Sequence, residues 1–148
     1  IWKGIPGLND EPDYIIQNPV GVGRIDMNEE WLVVSAYPGA GSPVHVIKLA
    51  NLDSGIMLSV PGNDDFPQGV SINEKGFFIA LQGSNKVVGW SSVQDALNGS
   101  SPTMSFGGTT NKTNSGTKMA STVHWDGFHL WVGEFKFSNR LLGFAPSK

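Results

Sequence analysis

The 148-residue sequence contains no cysteine, which excludes a disulfide framework, a thiolate metal site and a cysteine nucleophile. Charge is sparse: 10 basic and 13 acidic residues are scattered along the chain and leave a formal net charge of −3. Without basic patches, we expect no binding to nucleic acid or to an anionic membrane surface. No apolar run approaches the ~18 residues that a membrane-spanning helix needs, so no membrane span is expected.

The absence of cysteine suits any cellular compartment. The amino-terminal stretch, IWKGIPGLND, lacks the basic region and the following apolar region of a signal peptide. We expect a soluble protein and favour a secreted or periplasmic location. Because the sequence begins with Ile1 and not with Met, we interpret it as a processed form or as a piece of a longer chain.

Glycine and proline are abundant, with 19 glycines and 9 prolines that separate short apolar runs. Short runs rich in Val, Ile, Phe and Trp, with frequent turn residues between them, predict an all-β fold. Only residues 91–99 have helical character, and they can form one or two turns at most. The predicted strands are 14–16, 20–25, 31–36, 44–49, 56–60, 69–72, 77–81, 86–90, 103–106, 121–125, 130–134 and 140–144.

The sequence repeats itself. Pro19, Gly21 and Val22 recur as Pro67, Gly69 and Val70, and a third copy begins near Ala120 after a polar insertion. Each copy predicts up to four short strands, and the period of roughly 45–50 residues is typical of a β-propeller blade. The predicted blade units are 18–62, 66–107 and 119–146, of which the last is partial, and a further partial unit covers 1–17.

Two segments, FPQGVSINEKGFFIALQGSNKVVGW and MASTVHWDGFHLWVGEFKFSNRLLGF, resemble blades of NHL-repeat β-propellers. That family's pattern runs Pro-x-Gly-Val, a polar turn with Gly, an apolar run ending in Ala/Gly-Asp, and Asn-x-Arg-Val. The first segment matches it at Pro67, Gly69, Val70, Gly76, Ala80, Asn85, Lys86 and Val87. The second matches it at Val123, Asp126, Gly127, Gly133, Glu134, Asn139, Arg140 and Leu141.

The match is incomplete, because Leu81 and Ser35 replace the family's acidic residue and the first repeat lacks the Asn-x-Arg turn. The resemblance implies blades of four antiparallel strands. It also makes the Ser-Asn-Lys/Arg stretches turns between second and third strands. We expect each Asn to adopt the left-handed conformation there and each cation to pair locally.

Three blades cannot close a propeller ring, which usually has about 4–8 blades. Residues 1–6 and 14–17 are predicted to be a third and a fourth strand, so we expect the chain to begin and end within a blade. Two arrangements follow. Two copies can close a six-bladed ring as a homodimer, with Tyr14–Gln17 of one copy completing the last blade of the other, or the chain is part of a longer propeller.

Metal binding has weak candidates. His124 and His129 flank the turn WDGF and fall on adjacent strands, but His45 belongs to another blade and no third ligand has suitable spacing. Asp64 and Asp65 could help to hold Ca²⁺ or another divalent cation, although Asn and Asp also serve solvated turns. Asp26–Glu30 is interpreted as a solvated hairpin turn. We predict no cofactor.

Candidate ligand-binding residues lie at the entrances of the inner strands, at Asn18, Gln68, Ser121 and Thr122. The resemblance extends to six-bladed lactonases and lyases with a metal on the axis, but none of these four residues is acidic. They suit a small polar ligand. Most tryptophans are assigned to the core, whereas Phe135 and Phe137 are candidates for a contact surface with a protein partner.

The sequence therefore predicts an all-β propeller segment, half of a six-bladed ring, that acts as a non-catalytic scaffold for a protein or a small polar ligand. The alternative is a metal-dependent hydrolase or lyase completed by a second copy or by missing blades. Bound metal on the axis would favour the alternative.

Overall fold

The computed structural model describes residues 4–17, 21–36, 43–60, 66–108, 116–135 and 139–145. Within these ranges the chain forms three antiparallel sheets and one short helix, which confirms the all-β prediction. No helix in the described part is long and apolar enough to cross a membrane.

Each sheet consists of strands that follow one another along the chain, in the order of a simple meander. The first blade comprises β1 (Val22–Met27), β2 (Trp31–Ala36), β3 (Val44–Lys48) and β4 (Ile56–Leu58). The second blade comprises β5 (Pro67–Asn73), β6 (Gly76–Leu81), β7 (Lys86–Trp90) and β8 (Met104–Gly107). The third blade comprises β9 (Ala120–Trp125), β10 (Leu130–Glu134) and β11 (Leu141–Phe144).

The helix α1 (Val93–Leu97) joins β7 to β8, within the stretch where the sequence has helical character. Ser92 begins it in an extended conformation, and its side chain accepts a hydrogen bond from the Asp95 N–H at 3.1 Å. Val93 and Ala96 are buried against the second blade, so tertiary packing stabilises a helix too short to be stable alone.

Two apolar cores lie between the blades, and β6 contributes to both. Phe77, Ile79 and Leu81 belong to the core shared with the first blade, whereas Phe78 and Ala80 belong to the core shared with the third. Side chains alternate between the faces of a strand, and every residue of β6 is buried because both faces are covered. We call the face toward the preceding blade the leading face and the other the trailing face.

The strand register corrects the alignment of the first two repeats. Ile25 pairs with Val34 as Val70 pairs with Ile79, so Ile25 is the structural counterpart of Val70 and the expected match of Val22 with Val70 is wrong. The hairpin turns define the true register. In each turn, the side-chain oxygen of the first residue accepts a hydrogen bond from a backbone N–H farther along the turn. These first residues, which are therefore equivalent, are Asn28, Asn73 and Asp126.

The inner strand of every blade also carries an irregularity near its start, between Val22 and Ile25, between Pro67 and Gly69, and opposite Gly133–Glu134. Because each inner strand has the extra residue at the same point, equivalent positions stay aligned across it. Val22 is thus equivalent to Pro67, and the shared Pro and Gly letters do not mark equivalent positions in the first two blades.

Residues 4–17 contain no strand, which corrects the prediction of a fourth strand at 14–16. Ile5 and Leu8 are almost fully exposed, and Ile15 is 73% exposed. A strand needs a neighbour for its backbone groups, and no sheet in the described part of the chain supplies one to this segment.

Candidate functional site

The inner strands β1, β5 and β9 lie side by side, and Gly69 permits the close approach of the last two. A β-carbon at Gly69 would lie 2.8 Å from Thr122 Cα and 2.9 Å from the Ser121 carbonyl oxygen. Both are backbone atoms that cannot rotate away. Glycine at this position therefore places the second and third blades in direct contact.

Side-chain acceptors link each inner strand to the next. Asp26 Oδ2 accepts the Ile72 N–H at 2.9 Å, and Ser71 Oγ accepts the Trp125 N–H at 3.1 Å. The hairpin register makes Asp26 and Ser71 equivalent positions. The interpretation of Asp26 as part of a solvated turn is thus wrong, because it lies in β1 and its carboxylate joins two blades.

A buried hydroxyl adds a further link. Ser35 Oγ donates to the Gln68 carbonyl at 2.9 Å and accepts the Arg24 N–H at 2.8 Å, and Ser35 is fully buried. Ser35 stands where the NHL pattern has an acidic residue. Its hydroxyl satisfies backbone groups of two blades without placing a charge in the core.

The three inner strands line an open cavity of about 190 Å³. Its polar lining comes from different blades: Arg24 and Asp26 from the first, and Thr122 and His124 from the third. Arg24, Thr122 and His124 are exposed. In the described residues, the Arg24 guanidinium makes no hydrogen bond or ion pair, so its donors are available to a ligand. Sequence comparison missed Arg24 because the misaligned repeat placed Val22, not Ile25, opposite Val70.

The structure places two of the predicted entrance residues at equivalent positions of neighbouring blades. Gln68 and Ser121 occupy equivalent extra positions in the inner strands of their blades, and both are partly buried. The register gives Gly23 as their counterpart in the first blade. Asn18 lies outside the described residues. Thr122 is exposed and borders the cavity.

The Asn turns adopt the expected left-handed conformation, with φ of 55° at Asn85 and 51° at Asn139. Asn85 also connects two blades, because its side-chain oxygen accepts the Met119 N–H and its carbonyl accepts the Thr117 hydroxyl. Sequence reasoning explained the conformation of Asn85 but missed this contact with the third blade.

The cation that follows Asn139 pairs locally, as expected. Arg140 donates to both carboxylate oxygens of Glu134, at 2.7 and 2.8 Å, and these hydrogen bonds raise the pKa of Arg140. Glu134 also accepts the Lys118 N–H at 2.6 Å, and its side chain is fully buried. The matched acidic residue of the third repeat is therefore a structural ion-pair partner.

The histidines occupy different environments. His129 Nδ1 lies 3.6 Å from Asp126 Oδ2 at the turn, whereas His124 lies on β9 at the cavity. The Trp131 indole N–H and the backbone N–H groups of His129 and Phe128 hold the pKa of the Asp126 carboxyl well below its ordinary value. His45 is buried, and burial lowers its pKa.

No group of three metal-ligating side chains occurs in the described ranges. Asp64 and Asp65 lie outside them. Of the two candidate contact residues, Phe135 is 51% exposed, and its N–H donates to the Met119 carbonyl at 3.1 Å. Phe137 is outside the described part.

A larger groove of about 920 Å³ lies between the first hairpin turns of the first two blades and α1. Glu29, Glu30 and Glu74 line it, together with Asn, Ser and Gln side chains. Glu30 pairs with Lys48 at 3.2 Å, with both side chains about half exposed. The groove thus combines solvated turn residues with the apolar side chains of Met27, Trp31, Ile72 and Val93.

The chain is similar in structure to the Kuenenia stuttgartiensis hydrazine synthase, with a TM-score of 0.60 and 14% sequence identity. The match covers 86% of this chain and 46% of that protein, so the chain spans less than half of its length. No protein-family model and no curated protein matches the sequence. At this identity, the similarity shows the fold alone.

Proposed function

We propose that the chain is a non-catalytic binding scaffold of NHL-like propeller blades, with its ligand at the inner-strand surface. The observation that carries the proposal is the cavity of about 190 Å³, which polar side chains of the first and third blades share. Ligand sites combine a concave shape with a few convergent polar groups. The units 18–62, 66–107 and 119–146 are the repeats of this scaffold.

The chemistry of the lining favours a small polar ligand that carries a carboxylate. The exposed Arg24 guanidinium offers a planar set of donors that matches a carboxylate. The exposed Thr122 hydroxyl can donate to or accept from a ligand hydroxyl. A protein partner would use the exposed Phe135 in addition.

A ring requires more than the three blades of one chain. We propose that two copies form a six-bladed ring, which places the inner strands of both around one axis. The last sheet has three strands where the others have four, and in the described ranges no strand covers the outer edge of β11. Residues 14–17 of the second copy are our candidate for the missing strand.

The test of the ligand proposal is isothermal titration calorimetry with glucuronate and glucose, two sugars that differ by one carboxylate. We expect glucuronate to bind at least tenfold more tightly than glucose, and Arg24→Gln to abolish the difference. Lys75→Gln is the matched control, because Lys75 is an exposed cation at a turn of the second blade. Failure to bind glucuronate, or unchanged binding by Arg24→Gln, would contradict the proposal.

The same sample should be titrated with Ca²⁺ and with Mn²⁺. Saturable metal binding without glucuronate binding would favour the metal-dependent hydrolase or lyase that a second copy could complete.

A further inference from the structure

The two internal blade interfaces share one construction. On the trailing face of each inner strand, a side-chain oxygen accepts a hydrogen bond from a backbone N–H of the next blade. Asp26 accepts the Ile72 N–H, and Ser71 accepts the Trp125 N–H. The hairpin register makes His124 the counterpart of Asp26 and Ser71 in the third blade. His124 is exposed, and a ring nitrogen of its imidazole can accept a hydrogen bond.

The trailing face of the third blade also repeats the apolar pattern of the second. Phe78 lies over Gly89 and stacks on Trp125 of the next blade, with ring centroids 5.9 Å apart, within the range of about 4.5–7 Å for aromatic pairs. Trp131 lies over Gly143 in the same way. Leu141 is 69% exposed, although its counterpart Val87 is fully buried.

The leading face of the first blade is exposed along β1, although Val34, His45 and Ile47 farther out on the same face are buried. Ile25 is 65% exposed and Met27 is 57% exposed, whereas their counterparts Val70 and Ile72 are 5% and 6% exposed. Met27 occupies the position of Trp125, the residue on which Phe78 stacks. One chain therefore carries both halves of the interface that it builds twice internally.

We propose that a second copy of this chain occupies these faces. The trailing face of the third blade, formed by His124, Trp131 and Leu141, binds Ile25 and Met27 of the other copy. When the two copies are related by a two-fold axis, this contact between a third blade and a first blade occurs twice and closes the ring. In the single chain the Met27 N–H donates to Asp26 Oδ1 at 2.9 Å. In the dimer this N–H donates to a ring nitrogen of His124 from the other copy. This inference names the contact surface of the proposed two-copy ring and rests on that proposal.

Sedimentation equilibrium of the whole chain tests the contact. We expect a species of twice the 15.9 kDa chain mass, and Met27→Glu or Leu141→Glu should each weaken dimerisation at least 100-fold by burying an unpaired charge. Both residues are exposed in the single chain, so neither variant should unfold it; circular dichroism checks this. Ile56→Glu is the matched control, because Ile56 is 50% exposed on the outermost strand of the first blade.

Mixing the two variants gives a sharper readout. A heterodimer of Met27→Glu with Leu141→Glu retains one intact contact of two, so the mixture should dimerise more tightly than either variant alone. A monomer at all concentrations would overturn the inference. So would a dimer that both variants leave intact, which would keep the two-copy ring but exclude these faces. Neither result depends on glucuronate binding by Arg24, so the ligand proposal stands or fails separately.

Discussion

The second and third blades have the same strand order but very different burial. All four residues of β7 from Val87 to Trp90 are buried, whereas their counterparts in β11 alternate between exposed and partly buried positions. The two stretches, VVGW and LLGF, are similarly apolar. Among the described residues, the second blade has a neighbour on each face, whereas the third has one on its leading face alone and β11 lies at the edge of its sheet. Burial in this fold depends on neighbouring blades as much as on sequence.

The largest effect is expected in the middle blade. Phe77→Ala removes a fully buried ring and should lower the free energy of unfolding by about 3–5 kcal/mol. Phe128→Ala, at a turn of the third blade where Phe128 is 75% exposed, should change it by less than about 0.5 kcal/mol. Urea unfolding measures both. Similar losses in the two variants would contradict the comparison.

The contact between β5 and β9 is the next most sensitive point. Gly69→Ala places a methyl group against the third-blade backbone and should cost about 1–3 kcal/mol. Gly4→Ala, where no atom lies within 4 Å of the added carbon, is the control and should be neutral. A neutral Gly69→Ala would mean that the blades are not in the close contact described.

Asn85 and Asn139 both adopt the left-handed conformation, but within the described ranges only the Asn85 side chain is seen to accept a hydrogen bond from the neighbouring blade, so comparing them separates the two effects. Glycine adopts the left-handed conformation freely, so Asn139→Gly should have little effect on the free energy of unfolding. Asn85→Gly also loses the acceptor for the Met119 N–H and should cost about 1 kcal/mol more. Thermal unfolding of both variants checks the order, and equal losses would refute a role for Asn85 between blades.

The smallest effect concerns pH. Burial lowers the pKa of His45 in the folded protein, whereas the unfolded value is near 6.5. Between these two values the unfolded chain binds the proton and the folded chain does not, so stability is complete above about pH 6.5 and falls as the pH decreases below it. His45→Gln should show a shallower loss between pH 6.5 and 5 in urea titrations. Parallel curves would contradict this assignment.

Much of the architecture could be predicted from the sequence because the strand signals are local. Short apolar runs, turn residues and the left-handed Asn85 and Asn139 all depend on nearby residues. The register of the first repeat was predicted wrongly, because the shared Pro, Gly and Val letters were aligned in place of the hairpin turns, where Asn28 and Asn73, each followed by Glu, mark the true register.

The candidate site was predicted only in part, since its residues meet through contacts between blades. Gln68, Ser121 and Thr122 were expected from their place in the repeat. Arg24 and the bridging role of Asp26 depend on the corrected register and on distances between different sheets. Residues 14–16 form no strand for a related reason: apolar residues adopt a strand only where a sheet edge is available to pair with them.

The central claim is that neighbouring blades determine burial and that a second copy supplies the missing neighbour. Amide hydrogen exchange at several protein concentrations is its most direct test. We expect the amides of β6 to be protected equally at every concentration. Those of β1 and β11 should gain protection as the concentration rises, because docking covers both faces. Uniform protection of all three strands that does not change with concentration would contradict the account.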